Sequence, residues 1–301
     1  MKTILDLRRY LILTESRIPP EIERAYRNLE WFGDPVGMGR ISRDELAESI
    51  RAETIEGDHP VDFLFWVGCQ GYFHERNRKT ISTLLRFFQR LKLRFAILGR
   101  EETCCGDLAR RTGNEYLFET LVKNTLNVFK TRGVTKIVTH CPHCFNVFKN
   151  EYPQWGAKLS VFHYTELLRE CLDKGLLPLP NDVVGRATLH DPCYLSRYNR
   201  IASEPRSLLK SIPHLQMIEM GRSKETTSCC GAGGGSMWLG KQIGRKINEM
   251  RAEEALGTKA DYLVTTCPYC LNMLEDGLKG LAKENVLQVV DIAELLDRAV
   301  G

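Results

Sequence analysis

The chain has 301 residues, 43% of them hydrophobic and 27% charged, with a formal charge of +4. That is a globular composition with room for two domains, and the evenly mixed charge excludes a dedicated nucleic-acid binder, which would gather its basic residues together. No run approaches the ~20 apolar residues that span a bilayer, and the start, Met1-Lys2-Thr3-Ile4, lacks a signal-peptide core, so a cytoplasmic setting is expected, peripheral to a membrane only through a partner.

Residues 1–60 carry no cysteine and read as an N-terminal arm or docking segment. A loosely packed extension is the plain alternative. Helices are expected over 5–15 and 21–31, the second opened by Pro19-Pro20, with turns at 33–35 and 37–39 and a polar stretch to Asp58. Residues 61–67 (VDFLFWV) form a continuous apolar run that suits a strand buried on both faces, ending at Gly68-Cys69. A helix over 76–93 follows, with Ile81, Leu84, Leu85, Phe88 and Leu91 on one face. A short strand at 95–98 precedes Cys104-Cys105, and a helix covers 114–131. The strand 136–139 runs straight into Cys141, where C-P-H-C opens a helix; a strand at 159–163 and a helix at 165–174 complete the unit. Residues 176–184, with Pro178 and Pro180, read as a linker.

The pattern then repeats. Strands are expected at 186–190, 215–220, 261–265 and 286–290, and helices at 205–211, 238–256, from Cys267 onward, and at 291–300. Alternating strands and helices imply an α/β fold: two tandem, pseudo-symmetric Rossmann-like units with mostly parallel sheets, at 61–180 and 181–301, behind a helical arm.

The cysteines follow the same duplication. Ten of the eleven fall on one template used twice: Cys69, Cys104-Cys105 and Cys141-x-x-Cys144, then Cys193, Cys229-Cys230 and Cys267-x-x-Cys270. Equivalent positions are offset by 124 to 126 residues. The spacings of ~35 residues approach the length of one βαβ unit, so each cysteine group should follow a strand at its carboxyl end, where open α/β sheets bind ligands. One five-thiol site per half is therefore the expectation. In a cytosolic chain such thiols point to metal or redox chemistry more than to disulfides.

Three readings compete. Either C-P-x-C alone suits a thioredoxin-type dithiol, but that leaves the lone cysteine and the adjacent pair unexplained in both halves. One zinc ion is satisfied by four thiolates and has no evident use for an adjacent pair. An iron–sulfur cluster offers several irons, so adjacent cysteines can serve different ones. Gly106 and Gly231 would let the backbone approach, and the run 231–235 (GAGGG) would present N–H groups to sulfides. A tight turn is the plain reading of those glycines, and Ser236 breaks a nucleotide-binding G-x-G-x-x-G.

The stretches ETCCGD at 102–107, THCPHCF at 139–145, NEYP at 150–153, HDPCY at 190–194, CCGAGGG at 229–235 and CPYC at 267–270 give the chain a family resemblance. It resembles the CCG-domain iron–sulfur proteins, typified by the B and D polypeptides of heterodisulfide reductase. It is similar also to related components of glycolate oxidase, anaerobic glycerol-3-phosphate dehydrogenase and lactate-utilisation systems. The resemblance implies two noncubane [4Fe–4S] clusters. Cys69, Cys104, Cys105, Cys141 and Cys144 would hold one, and Cys193, Cys229, Cys230, Cys267 and Cys270 the other, with substrate between them. It implies an oxidoreductase subunit, acting within a complex, that delivers electrons to a disulfide or related substrate. The alternative role is an electron relay between a flavoprotein dehydrogenase (glycolate, lactate, glycerol-3-phosphate or electron-transfer-flavoprotein type) and quinone or ferredoxin partners. Longer relatives carry a ferredoxin-like segment ahead of the first unit. Those cysteines are absent here, so the expectation is a separate subunit or one piece of a split protein. Its electrons would come from a ferredoxin-like subunit, a flavoprotein or a membrane cytochrome.

His140, His143 and His190 flank template cysteines and are candidate donors to a sulfur, with a structural role the plain alternative for each. His163 and Cys171 read as packing residues. Arg110, Arg111, Arg197 and Arg200 could face an anionic thiol or simply water.

Overall fold

The computed structural model describes residues 2–39, 41–49, 53–55, 61–239 and 244–300. It contains two four-stranded sheets, both wholly parallel. The first is built from β1 (Phe63–Trp66), β2 (Phe95–Ala96), β3 (Lys136–Thr139) and β4 (Ser160–His163), in the spatial order β2-β1-β3-β4. The second uses β5 (Gly185–Leu189), β6 (Leu215–Ile218), β7 (Tyr262–Thr265) and β8 (Gln288–Asp291), in the matching order β6-β5-β7-β8. All four residues of β1 are buried, because helices cover both faces of its sheet.

This strand order positions the site. The chain leaves the first strand of each sheet toward one neighbour and returns to place the third strand on the other side. A crevice opens at the carboxyl ends of those two strands. The residues that emerge there are Gly68-Cys69 and Cys141 in the first sheet, and Cys193 and Cys267 in the second.

The two sheets share one core. Phe65, Leu84 and Phe88 from the first unit pack in a single apolar cluster with Leu189, Leu208, Leu295 and Leu296 from the second. Helix Glu75–Arg90 lies on Ile292–Val300, and Tyr164–Asp173 lies on Ser203–Ser211. Arg76 ties the edges with ion pairs to Glu275 at 2.7 Å and Glu294 at 2.8 Å. Cys171 sits in this shared core, outside both sets of template cysteines.

The last helix of each unit starts the same way. The backbone N–H of His163 donates to Glu166 at 2.8 Å, and that of Asp291 donates to Glu294 at 3.1 Å. Each carboxylate thus turns back on its own N-cap residue, half of a capping box.

The arm is packed rather than loose. Its helices run over Lys2–Arg9, Pro20–Phe32 and Ile41–Ser49, the first extended by a wide turn, Tyr10–Thr14. Ile22, Ala25, Tyr26 and Leu29 bury themselves in the core that holds Trp66, Cys104 and Phe118. Arg8 donates to the carbonyls of Arg111 at 2.7 Å and Gly234 at 2.8 Å, so one side chain touches the segment after each cysteine pair. Residues 50–52 and 56–60 of the polar stretch lie outside the described residues.

The helix expected over 238–256 begins instead at Ile247. A 3-10 turn over Gly233–Trp238 precedes it, with Gly234 at φ 66° and Gly235 at φ 84°. A Cβ on Gly235 would stand 2.5 Å from the Thr112 methyl, so the left-handed backbone and the close approach together stop a helix there. Residues 240–243 lie outside the described residues. Among the described residues no helix is long and apolar enough to cross a membrane.

Candidate functional site

Each cysteine group is aimed by a local device. Gly68, at φ 73°, turns the chain from β1 into the short helix Gly68–Phe73 that carries Cys69. The buried Glu102 carboxyl accepts the N–H groups of Val67 at 3.2 Å and Gly68 at 2.6 Å and holds that turn. Burial lifts Glu102 to about 8, against the opposing Arg43 charge and these amides. After each pair the glycine is left-handed: Gly106 at φ 91° and Gly231 at φ 98°. Their N–H groups point back at Cys104 Sγ (3.4 Å) and Cys229 Sγ (3.3 Å). Pro142 and Pro268 start the helices of the two C-P-x-C motifs, which puts both thiols of each motif at a helix start.

All ten template cysteines come together in two sets of five. In the first, the thiols contact one another in the order Cys69, Cys104, Cys105, Cys144, Cys141. In the second the order is the equivalent one, Cys193, Cys229, Cys230, Cys270, Cys267, with Cys230 and Cys270 sulfurs 3.3 Å apart. None is in a disulfide. The first set is buried throughout, whereas Cys193 and Cys229 are partly exposed. Hydrogen bonding to neighbouring thiols, reinforced by burial, pushes Cys69, Cys104, Cys144, Cys193, Cys230 and Cys270 above the ordinary thiol range. The thiols that accept from them are pushed down: Cys105 to about 7, by Cys104 and Cys144, and Cys229 further, by Cys193 and Cys230. Five such neighbours cannot all ionise unless positive charge compensates them.

The middle residues of the two C-P-x-C motifs meet where the halves face each other. The His143 ring lies 4.6 Å from the Tyr269 ring and 4.6 Å from Tyr194. The Tyr269 hydroxyl lies 3.7 Å from Cys69 Sγ, in the other half. His143 Nδ1 bonds Asp107 at 2.7 Å, and Asp107 is held in turn by Arg111 at 3.1 Å. Burial opposes a charge on His143, but Asp107, with Cys141 and Cys267 nearby, outweighs it and lifts the ring to about 10.

The other histidines divide. His190 is buried, and its Nδ1 accepts from Arg251 Nε at 3.0 Å. A ring nitrogen of His190 lies within 4.8 Å of the Cys230 and Cys270 sulfurs, and its Nε2 has no hydrogen-bond partner among the described residues. Burial and then Arg251 push it down to about 3, so the ring is neutral. With Nδ1 occupied as an acceptor, the proton sits on Nε2. His140 is buried with neither ring nitrogen hydrogen-bonded among the described residues. His163 is structural, as expected, bonding Thr165 Oγ1 at 2.7 Å and donating to the His140 carbonyl at 3.2 Å. Arg110 and Arg111 are taken up by the carboxylates of Glu151, Glu115 and Asp107, and Arg197 donates to the carbonyl of Glu225 at 3.1 Å.

Sequence reasoning passed over Glu102, Asp107, Tyr194, Arg251 and Tyr269. Signals existed for several: Glu102 and Asp107 flank the first pair, Tyr194 follows Cys193, and Tyr269 lies inside the second C-P-x-C.

The cysteine-rich CCG domain matches residues 63–149 and again 187–275. The chain belongs to the CCG cysteine-rich domain family. Both CCG matches begin at or within two residues of the first strand of a sheet and take in all five cysteines of that half. Among curated relatives, the chain is 40% identical over 308 residues to a probable iron-sulfur-binding oxidoreductase, FadF, of Bacillus subtilis, covering 99% of this chain and 43% of that protein. It is 37% identical over 310 residues to an EtfAB:quinone oxidoreductase of Syntrophomonas wolfei, again 99% of this chain and 43% of the relative. It is 31% identical over 246 residues to the D polypeptide of a dihydromethanophenazine:CoB–CoM heterodisulfide reductase of Methanosarcina barkeri, 80% of this chain and 59% of that polypeptide. The CCG chain thus spans about half the length of the curated relatives it matches.

Proposed function

We propose that this chain is an iron–sulfur oxidoreductase unit of the heterodisulfide reductase B/D type, with one noncubane [4Fe–4S] cluster in each half. Cys69, Cys104, Cys105, Cys141 and Cys144 would hold the first, and Cys193, Cys229, Cys230, Cys267 and Cys270 the second. The observation that carries this reading is the same five-thiol contact order in both halves. The donor set fits: thiolates are the ligands such clusters take, and five in contact exceed one zinc ion. A bound cluster supplies one-electron chemistry and, at an iron left open, a place for a sulfur ligand.

The chain's own residues prepare each site. Gly106 and Gly231 donate N–H groups to ligand sulfurs, which raises a centre's potential. His190 is a donor toward the second set rather than a further ligand. Metal binding at Nε2 would shift its proton to Nδ1, against the Arg251 donor. Burial of the first set keeps water from its sulfurs.

Two roles remain on this common basis. The closely packed rings of His143, Tyr194 and Tyr269 lie in the contact between the halves, which supports a relay that takes electrons from a flavoprotein toward a quinone or ferredoxin-type partner. Similarity to FadF and to the EtfAB:quinone oxidoreductase over 99% of the chain supports it too. Similarity to the heterodisulfide reductase D polypeptide supports delivery of electrons to a disulfide, with those rings moving aside. The electron partner would be a ferredoxin-like subunit, a flavoprotein or a membrane cytochrome, and the setting cytoplasmic, membrane-peripheral through that partner. Iron and acid-labile sulfide measured on anaerobically purified protein test the clusters; zinc without sulfide sinks them. Mixing the reduced protein with a disulfide then separates the roles: reoxidation favours disulfide reduction, and inert centres favour relay.

A further inference from the structure

Tyr269 stands out because it serves a site in the half to which it does not belong. It lies between Cys267 and Cys270, two ligands of the proposed second centre, yet its hydroxyl reaches Cys69 of the first at 3.7 Å. Among the described residues, the Gly106 N–H toward Cys104 and the Asp107 N–H toward Cys105 are donors from within the first half. The equivalent residue, His143, makes no hydrogen bond to the second set among the described residues, and acts on its Cys267 through charge alone. It bonds Asp107 at 2.7 Å, and its ring packs 4.6 Å from that of Tyr269, tilted by 43°. The halves are therefore related by pseudo-symmetry but are not equivalent at the place where they touch.

We propose that Tyr269 is a positioning residue that donates a hydrogen bond across the half boundary to the Cys69 sulfur and so raises the potential of the first centre relative to the second. The proposal rests on the two-cluster reading. Its physical basis is general: a hydrogen bond to a ligand thiolate withdraws charge from the sulfur and favours the reduced, more negative centre. The ring is held for this task by His143, which packs against it at 4.6 Å. The potential of one half thereby depends on the packing of the other.

The test compares Tyr269→Phe with the unaltered full chain, both purified anaerobically, by redox titration followed by electron paramagnetic resonance. Assignment comes from making the same change in a Cys230→Ala background, which leaves the first centre, and in a Cys105→Ala background, which leaves the second. The expected result is a shift of the first centre to more negative potential, with the second unmoved and with iron and sulfide unchanged. Unmoved potentials, or equal shifts of both centres, overturn the proposal. If Tyr269→Phe loses iron, Tyr269→Met, which also lacks the hydroxyl, takes its place in the titration, and a first centre at the potential of the parent overturns the proposal. Absence of sulfide from the unaltered chain instead overturns the underlying cluster reading, so the two failures are distinct.

Discussion

Asp291 allows the packing between the halves to be tested apart from the cysteines. It is 1% exposed at the start of helix Ile292–Val300, and its Oδ1 accepts from the Tyr164 hydroxyl at 2.7 Å and the Ala293 N–H at 2.9 Å. Burial lifts its pKa from 3.8 to about 7 despite those two donors, with Glu294 adding to the rise and Arg76 opposing it. The folded chain therefore keeps a proton that the unfolded chain releases above about pH 4. Stability is greatest below that pH, falls as the pH rises toward 7, and is level again beyond it. A gap of about three pH units at about 1.4 kcal/mol each sets an upper bound of about 4 kcal/mol lost by pH 8. Asp291→Asn keeps the acceptor and the shape but cannot ionise. The variant should exceed the parent by about 1.5 kcal/mol at pH 5 and by up to about 4 kcal/mol at pH 8, where the Tm gain is on the order of 5–10 °C. Thermal unfolding followed by circular dichroism, at pH 5, 6, 7 and 8 on anaerobic protein, checks this. The difference between the two proteins removes whatever the cysteine sites contribute equally to both. A variant that trails the parent by the same margin at every pH would refute the reasoning, since the carboxylate would then be acting as an ionised helix cap.

Three further outcomes are expected. Cys105→Ala and Cys230→Ala should each remove about half of the iron and sulfide, and the double variant all of it, as read by colorimetric iron and sulfide assays. Glu102→Gln leaves only one oxygen for the Val67 and Gly68 N–H groups and should cost about 1–3 kcal/mol of stability, measured by denaturant titration, with iron lost first from the first site. Arg206→Met strips the buried Asp191 of the fork that holds it at 2.7 and 2.8 Å; it should cost about 3–5 kcal/mol in the same titration and weaken iron retention at the second site, which begins two residues later at Cys193.

Much of this was legible in the sequence because periodicity and cysteine spacing are local signals. The apolar run at 61–67 and the KIVT at 136–139 announce strands, and the lone cysteine, the pair and the C-P-x-C each follow one at its carboxyl end. The helix expected over 238–256 starts later, at Ile247, behind a turn. Tight packing of Gly235 against Thr112, more than 120 residues away, decides the turn instead. The non-cysteine parts of the site were hidden for the same reason. Asp107 meets His143 across 36 positions, Arg251 meets His190 across 61, and Tyr269 meets Cys69 across 200. No window along the chain contains such a pair. The arm shows the same limit, since Arg8 draws its meaning from Arg111 and Gly234.

The ring contact between His143 and Tyr269 also bears on how such a chain can arise. In a homodimer of single units, a residue lying on the rotation axis meets its own copy, so histidine would face histidine or tyrosine would face tyrosine. Joining both copies in one polypeptide removes that restriction. Each position can then mutate alone, and a mixed pair becomes available for the first time. Once Asp107 holds one member and Cys69 engages the other, a return to two identical, separable copies would place like against like at the axis and leave Asp107 or Cys69 without its present partner. A fused chain can thus surround its two sites differently, where a symmetric pair of identical copies cannot.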